Sequence, residues 1–287
     1  MIFLILCIVI NGFIGVIFKY FGIFKVNTLH AILINYAICV ICGSLYLGDF
    51  TYLFKLPSFS WTPIAAILGL TFIIVFNAYA HAVQRAGVGM ATIFQKMSLI
   101  APVIVALVFY GDSISVWKIA GIMLAIVSLV LLSLSNGKVQ NIGSALSILL
   151  LVFFGSCFID VMLYLAEVEA LAPNADVRFV CSIFLFALIF GLIFLTYNYL
   201  SKNNSSFELR SLWAGIALGL PNFFSIYLLL YVIALGWEGS LVFPANNVGV
   251  LSIAAIAGII LFKEEITRRK IMGFVAAVAA IILLAIN

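Results

Sequence analysis

The chain has 287 residues, of which 66% are hydrophobic and 8% are charged, and its formal net charge is +4. Its mean hydropathy is +1.33. A chain this apolar is excluded from the soluble globular class, and no basic block interleaved with aromatics lies outside the apolar segments, which excludes a nucleic-acid binder. Apolar runs of about 18 residues or more recur from end to end, which predicts an all-α polytopic membrane protein.

Ten apolar segments are each long enough to cross a bilayer as a helix. The breaks between them hold glycine, proline, asparagine and charged residues, and most are short, so that consecutive helices are expected to be antiparallel neighbours. The ten predicted spans are residues 2–21, 28–47, 62–83, 88–110, 115–134, 143–164, 176–199, 210–235, 240–262 and 269–286.

The two halves of the sequence resemble each other at a constant offset, since residues 110–132 align with residues 262–284 without a gap. An acid, a lysine and a glycine recur in register, as Asp112 and Glu264, Lys118 and Lys270, and Gly121 and Gly273. Five helices per half is an odd number, so the second half would enter the membrane upside down. We therefore predict two inverted five-helix repeats, residues 1–137 and 138–287, with a substrate site near the midplane where they meet.

The fourth predicted span carries a lysine, Lys96, about eight residues from its start, which places it roughly 12 Å below the membrane surface. An ammonium at that depth costs on the order of 3 kcal/mol. We interpret Lys96 and its neighbour Gln95 as facing a central cavity. The alternatives are a lysine that extends to the interface or one that pairs internally with a carboxylate.

The offset of the repeat aligns Gln95 with Asn247 and Phe94 with Asn246 in the ninth span. Both members of each pair should approach the midplane on equivalent helix faces. Adjacent amides in an apolar helix are costly unless they form hydrogen bonds. We interpret Asn246 and Asn247 as substrate contacts, the alternative being polar contacts between helices worth about 0.6 kcal/mol each.

Further polar residues within the spans complete the candidate substrate site. Asp160 in the sixth span is expected to pair with Lys96 or to take up a proton that couples transport, and both roles stay open. The other candidate wall residues are Asn77, Tyr79, Thr92, Asn222 and Tyr227.

The sequence gives little support for a metal or cofactor site, an enzyme, an ATP-driven pump or a channel. All five cysteines fall inside apolar spans and are read as small packing residues, so we expect neither metal nor cofactor. No hydrolase, metalloprotease or Walker motif is present, which disfavours an intramembrane enzyme or an ATP-driven pump. A channel would need a ring of subunits or a filter sequence, and neither is evident.

Several short motifs, in this order along the chain, resemble the drug/metabolite transporter superfamily, in particular its EamA-like branch of ten-helix transporters. They are Gly12 with Lys19, Pro102, and an acid followed by glycine at Asp112 and Gly121 and again at Glu264, Glu265 and Gly273. The resemblance covers essentially the whole chain. It implies two inverted bundles of five helices around a cavity lined by spans one to four and six to nine, and alternating access for small organic solutes. The loop between spans two and three, usually strongly basic in such proteins, carries only Lys55 here.

Two arguments predict opposite orientations of the chain in the membrane. Ten basic residues lie on the side of the loop between spans one and two, and three on the other side. The positive-inside rule then predicts that both termini lie outside the cytoplasm. The family resemblance implies cytoplasmic termini.

We therefore expect a secondary transporter for a small polar, anionic or zwitterionic metabolite of the amino-acid or organic-acid class. The alternative is a proton-coupled exporter of multiple drugs or of cationic and aromatic compounds. The expected partners are the small-molecule substrate, membrane lipids and a coupling proton or counter-substrate. The chain is expected in a bacterial cytoplasmic (inner) membrane as a monomer or homodimer. Substrate identity, direction of transport and coupling mode stay open.

Overall fold

The computed structural model describes residues 1–86, 88–134, 142–200 and 208–286, and every regular element in these ranges is helical. Two 3₁₀ segments, Thr51–Ser58 and Met97–Leu99, lie between the longer helices. The eleven α-helices are α1 Ile2–Ile23, α2 Thr28–Leu47, α3 Thr62–Ala86, α4 Val88–Lys96, α5 Ile100–Phe109, α6 Val116–Leu134, α7 Ile142–Val168, α8 Val177–Leu200, α9 Leu209–Ala234, α10 Gly239–Phe262 and α11 Arg268–Ala285.

Within the described residues, nine helical segments are long and apolar enough to cross a membrane, by length and composition. The fourth of these joins α4 to α5 through the short 3₁₀ segment. The prediction of an all-α, multi-pass integral membrane protein is thereby confirmed at this coarse level. The remaining helix, α11, is 18 residues long and begins with three basic residues, Arg268 to Lys270.

Several helix ends follow directly from local side-chain chemistry. The Asn27 side chain accepts a hydrogen bond from the backbone N–H of His30 and so caps α2, which ends at Gly48 with a left-handed φ of 73°. The helix α7 continues past the predicted end at residue 164 as far as Val168. Its Glu167 carboxylate accepts the backbone N–H groups of Asn174 and Ala175, which closes the following loop.

Small residues let neighbouring helices approach closely, as is usual in membranes. On α9, a Cβ atom added to Gly215 would lie 2.5 Å from the Ala31 carbonyl oxygen, and one added to Gly219 would lie 2.4 Å from Cγ2 of Ile38. Both contacts are with α2. The α2–α9 contact is therefore a close-packed helix pair.

The helices α6 and α11 pack against each other in a reciprocal way. A Cβ atom at Gly121 would lie 2.9 Å from Cγ of Leu284, and one at Gly273 would lie 2.7 Å from Cγ of Leu132. The sequence offset relates Gly121 to Gly273 and Leu132 to Leu284.

The segments that lead into α6 and α11 also share a local pattern. The Asp112 N–H donates to the Ala106 carbonyl at 3.2 Å, and the Glu264 N–H donates to the Gly258 carbonyl at 3.2 Å. Hydroxyl groups then cap the helices, as the Ser115 Oγ accepts from the Lys118 N–H and the Thr267 Oγ1 accepts from the Lys270 N–H. The residues compared in each pair are those that the constant offset between the two halves of the sequence aligns.

Candidate functional site

The fourth span is broken at its centre. Its first part, α4, ends at Lys96, a 3₁₀ turn follows over Met97–Leu99, and α5 begins at Ile100. Pro102 has no N–H and cannot donate to the Ser98 carbonyl four residues earlier, which is the bond a continuous α-helix would need. The Cys157 thiol of α7 donates to that carbonyl instead, at 3.8 Å. The break is thus stabilised by a neighbouring helix.

Two opposite charges lie beside this break. The Ser98 hydroxyl donates to Oδ2 of Asp160 on α7 at 2.6 Å. The Lys96 ammonium is close enough to Asp160 for the two charges to interact, and both side chains are half-buried. None of the ion pairs within 4.0 Å among the described residues involves Lys96 or Asp160. The two charges therefore share one environment without neutralising each other by direct contact.

A buried cysteine connects these charges to the second half of the chain. The Cys7 thiol of α1 donates to Oδ1 of Asn246 at 3.6 Å and to the Ser225 carbonyl at 3.4 Å. The Lys96 charge also reaches Cys7. We call Cys7, Lys96, Ser98, Asp160 and Asn246 the central cluster. It brings together α1, α4, α7 and α10.

The residues next to the cluster along the chain form no comparable contacts. Asn247 is 6% exposed and Gln95 is half-buried. Neither side chain hydrogen-bonds to a side chain or carbonyl within the described part of the chain. Asn246, at 5% exposure, provides the contact from α10.

Tyr79 and Thr92 form a separate pair between α3 and α4. The Tyr79 and Thr92 hydroxyls are 3.0 Å apart, and they lie beside an apolar cluster that includes Ala82, Ala91 and Leu149. This pair joins α4 to α3, and no hydrogen bond within the described residues joins it to Asp160. It therefore flanks the central cluster.

Asn222 lies in the close-packed contact between α2 and α9. Its Nδ2 donates to Oδ1 of Asn35 at 3.2 Å, and the Cys39 thiol donates to the same oxygen at 3.6 Å. Asn35 is fully buried, and its own amide nitrogen has no partner among the described residues. Here the amides act between helices, which is the role the sequence left as an alternative for Asn246 and Asn247.

Tyr227 belongs to an aromatic group on the same pair of helices. Its ring is parallel to that of Phe223, with centroids 6.0 Å apart, and its hydroxyl is 3.3 Å from that of Tyr46. Tyr231 lies a further turn along α9, 6.0 Å from Tyr227.

Asn77 lies in a groove of about 510 Å³ between α3 and α8. Its Nδ2 donates to the Ile73 carbonyl of its own helix at 2.8 Å. The groove is almost entirely apolar, and its lining residues Ile193 and Tyr197 are 61% and 68% exposed, as expected for a surface that faces lipid. The groove is distinct from the central cluster, and we do not assign it the substrate because it offers one already bonded amide.

Each end of the molecule has an aromatic pair with a polar contact beside it. At the first end, Tyr20 of α1 packs on Phe262 of α10 with centroids 5.0 Å apart, and the Lys19 ammonium lies over the Phe262 ring and pairs with Glu264. Lys270 donates to the same carboxylate at 2.8 Å. We call this the Lys19 end.

At the opposite end, Tyr110 after α5 packs edge-on against Tyr164 of α7 with centroids 5.5 Å apart. The Tyr110 hydroxyl donates to Glu169, and this bond, with burial, raises the pKa of Tyr110 to about 12. We call this the Tyr110 end. The four helices joined by these contacts at the two ends are those that contribute to the central cluster, counting α4 and α5 as one span.

Sequence reasoning missed Cys7 and Ser98. Cys7 was interpreted as a packing residue, which its burial agrees with, but its thiol also links two polar groups. A signal for Ser98 was present, because the carbonyl four residues before a proline lacks its helical partner. Within the described residues, no group of three or more His, Cys, Asp or Glu side chains is arranged to hold a metal ion.

The fold and this arrangement define the class as an all-α, multi-pass integral membrane protein. No family model matches the sequence. The chain is 30% identical over 226 residues to an uncharacterized protein of Haemophilus influenzae, covering 77% of this chain and 74% of that protein, and it belongs to the same family. A solved crystal structure of another protein has the same fold, with a TM-score of 0.80 and 13% sequence identity. The similarity covers 99% of this chain and 96% of the other.

Proposed function

We propose that the protein is a secondary transporter for a small anionic or zwitterionic organic solute of the amino-acid or organic-acid class. The observation that carries this proposal is the Lys96 ammonium, which lies half-buried at a helix break without an ion pair among the described residues. An ammonium at membrane depth costs on the order of 3 kcal/mol. A carboxylate ligand offsets that cost when it binds.

The architecture we propose is ten spans in two inverted five-helix repeats of the EamA-like kind. Support comes from the paired hydrogen bonds at Asp112 and Glu264 and from the reciprocal packing of α6 and α11. The tenth span is α11, which at 1.5 Å per residue is about 27 Å long, close to the hydrocarbon thickness. Its basic first turn lies at the membrane surface in this arrangement.

A carboxylate would find complementary groups in the central cluster. Lys96 supplies a charged donor, and the Asn246 side chain supplies amide donor capacity, since its Oδ1 is already used by Cys7. Discontinuous helices with free backbone groups are a common way to build such sites at the midplane of transporters.

A second candidate function is a proton-coupled exporter of cationic or aromatic compounds. It is favoured by the stack of Phe223, Tyr227 and Tyr231 on α9, together with the Asp160 carboxylate. Aromatic rings attract organic cations. In this case Asp160, and not Lys96, would be the main substrate contact.

The test is uptake of radiolabelled carboxylates, amino acids and aromatic amines into proteoliposomes. We expect saturable uptake of a carboxylate or amino acid, reduced by about 100-fold or more in Lys96→Ala because the only charged donor of the cluster is lost. Lys55→Ala, in the 3₁₀ segment between α2 and α3, is the matched control, and thermal unfolding verifies that both variants are folded. Uptake of amines alone, abolished by Asp160→Asn and unaffected by Lys96→Ala, would support the exporter instead.

A further inference from the structure

The central cluster holds one positive and one negative side chain that are not in direct contact. Lys96 and Asp160 interact electrostatically, but their charged atoms are more than 4.0 Å apart, since this pair is absent from the ion pairs found up to that distance. In a low-dielectric interior, an uncompensated charge is far more costly than in water. The empty cluster has a net charge of zero when both groups are ionised.

Binding of an anion at Lys96 would disturb this balance. The occupied cluster would then contain one cation and two anions, the ligand and Asp160, within the same apolar surroundings. Like charges at such distances disfavour each other's ionised form. The least costly response is protonation of the Asp160 carboxylate.

We propose that the central cluster keeps its net charge at zero, so that an anionic solute binds at Lys96 together with one proton taken up by Asp160. This inference rests on the proposed transport function and names its coupling. The proton comes from water on the side to which the site is open and adds to a carboxylate oxygen. It returns to water when the solute leaves.

The hydrogen-bond partner of Asp160 suits both protonation states. As a carboxylate, Asp160 accepts from the Ser98 hydroxyl at 2.6 Å. As a carboxylic acid, it becomes a donor, and the Ser98 hydroxyl can rotate to accept, because a hydroxyl carries both a donor and two lone pairs. The same Ser98 hydroxyl can therefore remain the partner of Asp160 in both protonation states.

Among the groups that surround Asp160, the charged one is Lys96. Helix α7 packs against α3, α4, α5 and α9. Lys96 comes from α4, and Cys157 lies one turn earlier on α7, where the Asp160 charge acts on it. Within the described ranges, Lys96 is the charged side chain whose field acts on Asp160.

A zwitterionic solute behaves differently under the same rule. Its carboxylate would bind Lys96 and its own ammonium would lie near Asp160, so the net charge stays at zero without a proton. An anion is therefore carried with a proton, and an amino acid without one. Both processes move no net charge across the membrane.

The experiment measures proton uptake on binding of two probes, propionate and L-alanine. Titration calorimetry is done on the purified full chain in phosphate and in Tris, whose ionisation enthalpies differ, so that the difference counts the protons taken up. We expect about one proton per propionate, none per L-alanine, and a propionate affinity that falls by up to about tenfold per pH unit as the pH rises. Asp160→Asn should bind propionate with no proton uptake and no pH dependence.

Asp176→Asn is the matched control. Asp176 pairs with a cation, Arg178, at 2.7 Å, but it lies outside the central cluster. It should keep the proton uptake of the parent. Propionate binding without proton uptake by the parent, or unchanged uptake in Asp160→Asn, would overturn the inference while leaving the transport proposal standing. If the parent binds neither probe, the proposed carboxylate site itself is wrong, and the coupling falls with it.

Discussion

The broken fourth span and the continuous helix α10 occupy equivalent positions in the two halves of the sequence, yet they are built differently. The residues of the 3₁₀ turn, Met97–Leu99, align with residues 249–251, which lie within the uninterrupted α10. Pro102 of the fourth span aligns with Ala254 of α10, which keeps the backbone N–H that proline lacks. Pro244 lies further towards the start of α10, and that helix continues through it without a break.

The two segments are also held in different ways. Ser98 at the break is fixed by hydrogen bonds to Asp160 and from Cys157. The aligned part of α10 is fixed by close packing, since a Cβ atom on Gly249 would lie 2.7 Å from Cγ2 of Ile8 on α1. The broken fourth span therefore positions the Lys96 charge through polar contacts, whereas α10 positions the Asn246 amide through close packing of its backbone against α1.

The largest effect is expected from Pro102→Ala, which would make the two segments alike. The new N–H can donate to the Ser98 carbonyl, and removing an interior proline favours a continuous helix by about 3 kcal/mol. Ser98 and Lys96 would then rotate away from Asp160. We expect a loss of roughly tenfold or more in propionate affinity, equal to about 1.4 kcal/mol, and slower hydrogen exchange at residues 98–102. Pro244→Ala, in a helix that is already continuous, should change neither quantity.

Next in size is Gly249→Ala, which tests the packing side of the comparison. The added methyl group would overlap Ile8, and overpacking of this kind costs about 1–3 kcal/mol. We expect a lower thermal unfolding temperature. Gly22→Ala is the control, because its Cβ would have no atom within 4 Å, and helix propensity should make it neutral or slightly stabilising. Equal unfolding temperatures for both variants would argue against the close α1–α10 contact.

A smaller effect is expected from Ser98→Ala, which tests the polar side. Loss of a hydrogen bond to a half-buried carboxylate costs about 1–2 kcal/mol. Because Asp160 then lacks a donor, the propionate-linked proton uptake should shift to higher pH. Ser252→Ala on α10 removes a hydroxyl that donates only to its own helix, at the Val248 carbonyl, and should leave the calorimetric proton count unchanged.

The smallest effect is expected at the far end of α10, from Glu264→Gln. Burial alone would raise the pKa of Glu264, but hydrogen bonds from Lys19 and Lys270 outweigh it and lower the pKa. A lowered pKa means that the pair stabilises the fold above the usual glutamate value of about 4.3 and that this stability is lost as the pH falls through the lower value of the folded state. We expect Glu264→Gln to cost no more than about 1 kcal/mol at neutral pH, with the difference vanishing in acid. Thermal unfolding against pH measures it, and exposed Glu265→Gln should show no such pattern.

Hydropathy was enough to predict the long apolar helices, because it depends on position along the chain. It could not predict the direction in which a side chain points. Asn222 turns towards Asn35 and Asn77 towards its own helix, although both lie in helices long and apolar enough to cross a membrane. The repeat offset aligned Gln95 with Asn247, while the contact with the cluster comes from Asn246, one residue and about 100° of helix away.

The contacts that join helices differ between the two ends of the molecule. The Lys19 end joins an ammonium to a carboxylate and to a ring face, whereas the Tyr110 end joins a neutral hydroxyl to a carboxylate. Dissolved salt weakens attraction between full charges at the surface much more than it weakens a bond to a neutral hydroxyl. Raising the ionic strength should therefore weaken the Lys19–Glu264 contact more than the Tyr110–Glu169 contact.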